Sequence, residues 1–167
     1  MKPFVAVILG SKSDFAVMQA TVSVLENFGV AHELIVASAH RTPERVSAYV
    51  SDAVSRGAQV FVAAAGMAAH LAGAIAAQTT KPVIGVPIAS GSLGGFDALL
   101  STVQMPPKMP VATVAVGGAA NAAYLALQIL SLGDSVLAQK LLDDRTEIKQ
   151  QVENDSKTIE ILLSRSA

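Results

Sequence analysis

Five short apolar runs, each followed by a turn and a helix-like stretch, constrain this chain more than any other feature. Residues 4–9, 32–37, 60–65, 83–86 and 111–116 read as strands. The first is continuous and rich in β-branched residues, as in a strand buried on both faces. Helical stretches lie between and after them: 15–28 stopped by Gly29, 43–56 closed by Gly57, 68–79, 96–104, and a segment from Gly117-Gly118 to Leu132. Thr42 is placed to cap the second helix and Pro43 to be its first residue. Residues 105–110 hold three prolines and cannot be helix interior. Strands alternating with helices imply parallel pairing through right-handed crossovers. The expected α/β fold is one domain, 1–167, built as a three-layer doubly wound parallel sheet, flavodoxin-like in order. Its core is expected over 1–133, and 134–167 as a long C-terminal helix. Leu137, Leu141, Ile148, Val152, Ile159 and Leu163 form a stripe on that helix, expected at a subunit interface. The alternative is a helix laid on its own domain.

Composition narrows the function classes. Of 167 residues, 51% are hydrophobic and only 15% charged, which points to a surface covered by other copies, a homo-oligomer. The net charge of -1, with no basic run and few aromatics, argues against a nucleic-acid groove. The absence of cysteine excludes disulfides, thiolate zinc sites and a Cys nucleophile, and fits a reducing cytoplasm. Met1-Lys2-Pro3 leads straight into a strand rather than a signal peptide. No apolar run is long enough to span a membrane, so no membrane partner is expected.

In a sheet of this kind, ligands bind at the carboxyl edge of the strands, where the strand-to-helix turns converge. The first turn supplies Ser11, Ser13 and Asp14, and the second Ser38, His40 and Arg41. The third supplies Gly66 and, one turn into its helix, His70. The fourth supplies Ser90 and Ser92, the fifth Gly117, Gly118 and Asn121. Serine hydroxyls, helix N-terminal N–H groups and one arginine make a phosphate site. Asp14 can accept from vicinal hydroxyls, as on a ribose, so a phosphorylated ribose ligand fits. The alternatives are structural: Ser13 and Asp14 as caps, Gly66 as a tight turn, His70 as a hydrogen-bonded core residue. Neither a dinucleotide fingerprint nor a P-loop is present. Ser90-Gly91-Ser92-Leu93-Gly94 departs from a nucleophile elbow at its first position. The three histidines lie on separate segments without carboxylates at ligand spacing, so no metal site is expected.

Gly10-Ser-Lys-Ser-Asp14, Ser38-Ala-His-Arg-Thr-Pro43, Ala68-Ala-His-Leu71, Val103-Gln-Met-Pro106 and Ala119-Ala-Asn-Ala122 resemble the bacterial N5-carboxyaminoimidazole ribonucleotide mutases of purine biosynthesis. The resemblance covers roughly residues 4–132. It implies transfer of a carboxylate from the exocyclic nitrogen to C4 of the imidazole, without metal or organic cofactor, in an octamer. It also implies Ser11, Asp14 and Arg41 as substrate ligands, with Ser13 and Ser38 joining Arg41 around the phosphate. His40 would be the proton shuttle, and Gly66 to His70 would line the imidazole and carboxylate pocket. Two positions depart: the family usually carries Gly where Met67 stands and Pro where Ala72 stands. Related enzymes that carboxylate aminoimidazole ribonucleotide directly usually carry Lys-Gly or a similar pair after Ser-Ala-His. Arg41, Thr42 and His70 favour the mutase; the carboxylase and a non-catalytic nucleotide-binding module are the alternatives.

Overall fold

The computed structural model describes residues 3–165, with side chains described through Ile159. Five parallel strands, β1 (Phe4–Leu9), β2 (His32–Val36), β3 (Ala58–Gly66), β4 (Val83–Ile88) and β5 (Ala112–Thr113), pair in the order β2-β1-β3-β4-β5. That is the expected flavodoxin-like order. The crossovers carry α1 (Phe15–Asn27), α2 (Pro43–Ser55), α3 (Leu71–Ala76) and α4 (Phe96–Val103). Then follow α5 (Ala119–Ser131) and α6 (Ser135–Arg165). Contacts divide the chain into two compact units, Met1–Leu130 and Ser131–Ala167.

Within the first unit, β1 is central and all six of its residues are buried. Its side chains alternate between the faces, as the two-residue period of a strand requires. Phe4, Ala6 and Ile8 join Val46 and Val50 of α2 and Leu71 and Ile75 of α3 in one core. Val5, Val7 and Leu9 therefore point to the opposite face. There α1 and α5 are tied together by the buried Thr21 hydroxyl, which donates to the Ala119 carbonyl at 2.7 Å. The outer end of β2 is held to α2 by charge. Arg56 binds the Glu33 carboxylate through both terminal nitrogens, reaches Asp52 at 2.6 Å, and covers the Phe4 ring at 5.2 Å.

Two elements are shorter than expected. The helix expected over 68–79 occupies only Leu71–Ala76, so His70 stands at its N-cap rather than a turn inside it. The cause lies in the turn: Met67 takes a left-handed backbone (φ 56°), and Ala69 N–H closes onto the Met67 carbonyl at 2.8 Å. The first helical bond of α3 runs from Ala74 to the His70 carbonyl. The strand expected over 111–116 is regular only at Ala112–Thr113. As an edge strand it has one neighbour. The chain stays beside β4 through Val114 N–H to the Gly85 carbonyl and Gly117 N–H to the Pro87 carbonyl, but irregularly.

The second unit is dominated by α6, whose start is capped by Asp134; its carboxylate accepts from the N–H groups of Val136 and Leu137 at 3.0 Å. Among the described residues no helix is long and apolar enough to cross a membrane.

Candidate active site

The first strand-to-helix turn is built by its own side chains. Gly10 leaves β1, and a single 3-10 turn, Lys12–Asp14, precedes α1. Ser11 caps that turn: its hydroxyl accepts from Ser13 N–H at 3.3 Å, and the Asp14 carboxylate accepts from Ser11 N–H at 2.9 Å. The reciprocal pair is a capping box. The Ser13 hydroxyl lies 2.9 Å from Ser11 Oγ and 3.4 Å from Asp14 Oδ1. Three residues at one turn are thus locked in one network. Asp14 is only 6% exposed. Burial pushes its carboxyl above the ordinary aspartate value, against the opposing effects of the Ser11 and Ser13 hydrogen bonds and the Arg41 charge.

The second turn leans on the first. Arg41 reaches back to donate from Nη2 to the Gly10 carbonyl at 2.9 Å. Its backbone N–H and Nε both point to Ser38 Oγ, at 3.2 and 3.4 Å. Thr42 occupies the N-cap position of α2, but its hydroxyl does not cap the helix. Instead it accepts from Ser38 N–H at 2.9 Å and lies 3.2 Å from the Ser38 carbonyl, closing the loop on itself. The capping residue expected from sequence therefore holds Ser38, whose hydroxyl in turn accepts from Arg41. Ser11, Ser13, Asp14, Ser38 and Arg41 form one hydroxyl, carboxylate and guanidinium cluster where β1 and β2 end.

His40 projects from the same loop and is exposed. Its ring meets that of His70 at a centroid distance of 5.4 Å and an interplanar angle of 63°. His70 is exposed as well, so it is not a core histidine. The short α3 explains the encounter, because a residue ahead of the helix faces the sheet edge. A cavity of about 500 Å³ opens between the two rings and Ala68, Gly73, Met105 and Met109. Gly73 lets the Met105 thioether approach: a Cβ there would meet Sδ at 3.2 Å. Gly66 ends β3 beneath Ser90, and a Cβ on it would lie 2.1 Å from Ser90 Oγ and 3.0 Å from the Ile88 carbonyl. Gly66 is therefore required by close approach.

Sequence reasoning named Met105 and Pro106 only within the Val103–Pro106 motif, without a role, and did not single out Met109; all three line this cavity. Their signal was the proline-rich segment 105–110, legible as a helix break but not as a wall. Asn121 lies exposed in the first turn of α5 and Ser92 in the loop before α4. His32, at the other end of its strand, bonds the Val30 carbonyl at 3.1 Å. A larger cavity, about 950 Å³, opens where β4 begins, beside Lys81 and Pro82. It is at the amino edge of the strands and holds none of the clustered residues. Among the described residues, no three His, Asp or Glu side chains come together as metal ligands would.

The arrangement combines a cluster of hydroxyls and a guanidinium suited to an anion, a buried carboxylate and a pair of imidazoles beside a mostly apolar hollow. A phosphorylated, hydroxylated ring compound would place its charged end on the cluster and its ring beside the imidazoles. Comparison with known proteins gives the family. The family described as AIR carboxylase matches residues 4–151. The N5-carboxyaminoimidazole ribonucleotide mutase of Pyrococcus horikoshii is 50% identical over 159 residues, covering 95% of this chain and 90% of that protein. The mutase of Aquifex aeolicus is 55% identical over 141 residues, 84% of each chain. The crystal structure of Treponema denticola PurE superimposes with a TM-score of 0.82 at 30% identity, covering 93% of this chain and 98% of that one. With the family model matching residues 4–151, half of its residues shared with such relatives and its fold shared with the solved structure, this chain is an enzyme of the AIR carboxylase family.

Proposed function

We propose that the chain converts N5-carboxyaminoimidazole ribonucleotide to 4-carboxy-5-aminoimidazole ribonucleotide, an intramolecular carboxylate transfer in purine biosynthesis. The observation that carries this reading is the His40–His70 ring pair beside the Ser11, Ser13, Asp14, Ser38 and Arg41 cluster. Arg41 and the serine hydroxyls take the phosphate, and Asp14 faces the ribose. Protonated His40 donates to the exocyclic nitrogen as its N–C bond breaks, releasing carbon dioxide and neutral amine. The enamine-like ring then forms its C4–C bond to that carbon dioxide, and the C4 proton returns to neutral His40. The imidazole ends as it began, and no net proton is exchanged. Acid–base assistance of this kind contributes about 10²–10⁴-fold. Holding carbon dioxide beside the ring between the two steps makes the second step effectively intramolecular. No metal or organic cofactor enters the scheme. The reading includes a homo-octamer in the cytoplasm, with the phosphoribosyl aminoimidazole as its small-molecule partner.

The direct carboxylase reading is favoured less, because Arg41 and Thr42 stand where such enzymes usually carry Lys-Gly or a similar pair, and His70 lies in the Ala-Ala-His-Leu string that they lack. The test is turnover of N5-carboxyaminoimidazole ribonucleotide by the purified protein and by His40→Asn. The variant is expected to fold and bind nucleotide but lose at least about 10²-fold in rate in both directions. More than about a tenth of the parent rate would move the shuttle to His70. Turnover only of aminoimidazole ribonucleotide with carbon dioxide would favour the carboxylase.

A further inference from the structure

Gly73 stands inside the six-residue helix α3, between two alanines. Alanine there would favour the helix, because glycine loses more backbone freedom on folding. Its backbone is not left-handed, so no turn requires it. What requires it is space. A Cβ on Gly73 would meet Met105 Sδ at 3.2 Å, Met105 Cε at 3.4 Å and His70 Cδ2 at 3.9 Å. His70, at the N-cap, already has a helical backbone (φ -96°, ψ -17°), so it shares a face of α3 with the glycine three residues on. The thioether and the edge of the His70 ring converge on the notch that the missing side chain leaves.

Among the described residues no hydrogen bond orients the His70 imidazole, so packing sets its ring. On one side is the His40 ring, at 5.4 Å between centroids. On the notch side is Met105, and it is anchored. Its N–H donates to the Val103 carbonyl at 2.9 Å, and its side chain packs against the core that holds Leu71, Ala72 and Ile75. Pro106 follows it and confines its backbone to extended conformations. Thioethers pack favourably at ring edges. We propose that Gly73 and Met105 are positioning residues for the carboxylate transfer: the notch admits the thioether, and the thioether holds the His70 ring at His40 and at the hollow all four line. A glycine serving core packing alone would be crowded by backbone. The atoms a Cβ would meet here are the far end of a flexible side chain and a ring edge. They would yield at little cost to the fold, and in yielding would turn the ring. Misplacing a group at a reacting centre by about 1 Å can cost about 10²-fold in rate. The inference rests on the proposed reaction.

Substitution at Gly73 therefore separates activity from stability. Gly73→Ala should keep the parent's urea midpoint or raise it. It should hold KM within about twofold, since Ser11, Asp14 and Arg41 are untouched, and lower kcat by about tenfold or more. Met105→Ala should lower kcat in the same way, and Met105→Leu, of similar volume, should keep at least about half of it. When Gly73→Ala and Met105→Ala are combined, the new methyl takes the notch, so kcat should exceed that of either single variant. With isotope-labelled histidine and no substrate, the NMR signal of His70 Cδ2–H should move in both alanine variants while that of His32 stays. A urea midpoint that falls with kcat would return Gly73 to core packing and overturn the proposal. So would an unchanged kcat, or losses that simply multiply in the double variant. A parent inert toward N5-carboxyaminoimidazole ribonucleotide sinks the proposed function, whereas an unmoved His70 signal sinks this positioning alone.

Discussion

Asp14 joins two demands at one residue. It closes the capping box with Ser11 and faces the ligand cluster, at the cost of burying a carboxylate. Because its folded-state pKa is raised, its contribution to stability is full below the unfolded value and lost as pH rises through the folded one. At neutral pH the charge therefore weakens the fold. Asp14→Asn keeps an acceptor for Ser11 N–H and removes the charge. Its thermal midpoint at neutral pH should equal or exceed the parent's, the difference should vanish near pH 3, below the ordinary aspartate value, and nucleotide affinity should fall. A parent that gains stability over the variant as pH rises would contradict the burial account. Met67 presents the complementary case. Its left-handed backbone costs about 1–2 kcal/mol for a residue with a Cβ, against about 0.5–1 kcal/mol of flexibility lost with glycine. Since Met67 is 60% exposed, little packing is lost on truncation. Met67→Gly should raise the urea midpoint by a stability of up to about 1 kcal/mol, and Met67→Val should lower it.

At the scale of elements, the sheet edge is shaped by how closely helices approach it. Gly85, in β4, lies under the buried Thr102 of α4: a Cβ would meet Thr102 Cγ2 at 2.4 Å and Val111 Cγ1 at 3.0 Å. Thr102 is fixed by its bond to the Ala98 carbonyl, so it cannot turn aside without losing a partner. Gly85→Ala should cost about 1–3 kcal/mol by overpacking, read as a lower midpoint in urea with little change in the cluster at Ser11. An unchanged midpoint would mean that α4 moves freely on the sheet. Strand–turn–helix boundaries were legible where a residue with a steric role marks them: Pro43 starts α2, and α1 and α2 stop ahead of Gly29 and Gly57. They were not legible around α3, where alanines carry no periodicity and no cap, and a turn through Met67 takes up the first residues.

For the whole molecule, exposed apolar side chains are the unresolved surface. Leu93, Phe96, Leu100 and Val103 lie on and beside α4 with 43–63% of their surface exposed. Solvated patches of that kind mark association surfaces. Sedimentation at micromolar concentration should give one large species, and Phe96→Glu with Leu100→Glu should shift it to smaller ones while helicity is retained. A monomeric parent would contradict the homo-oligomer reading.

The order of elements, the sheet class and the position of the strand-to-helix turns followed from local rules: strand runs, helix stops, proline geometry. These depend on neighbours in sequence, so a sequence contains them. The exposure of His70, the Arg41 bond to the Gly10 carbonyl and the pairing of His40 with His70 join segments 30 or more residues apart. Their geometry depends on where β1, β2 and β3 end relative to one another, which only the paired sheet decides. The roles of Thr42 and Met105 belong to the same class. Each was legible as a residue type at a turn, but the groups it touches were set by tertiary packing, because a hydroxyl or thioether takes whichever partner the fold brings within reach.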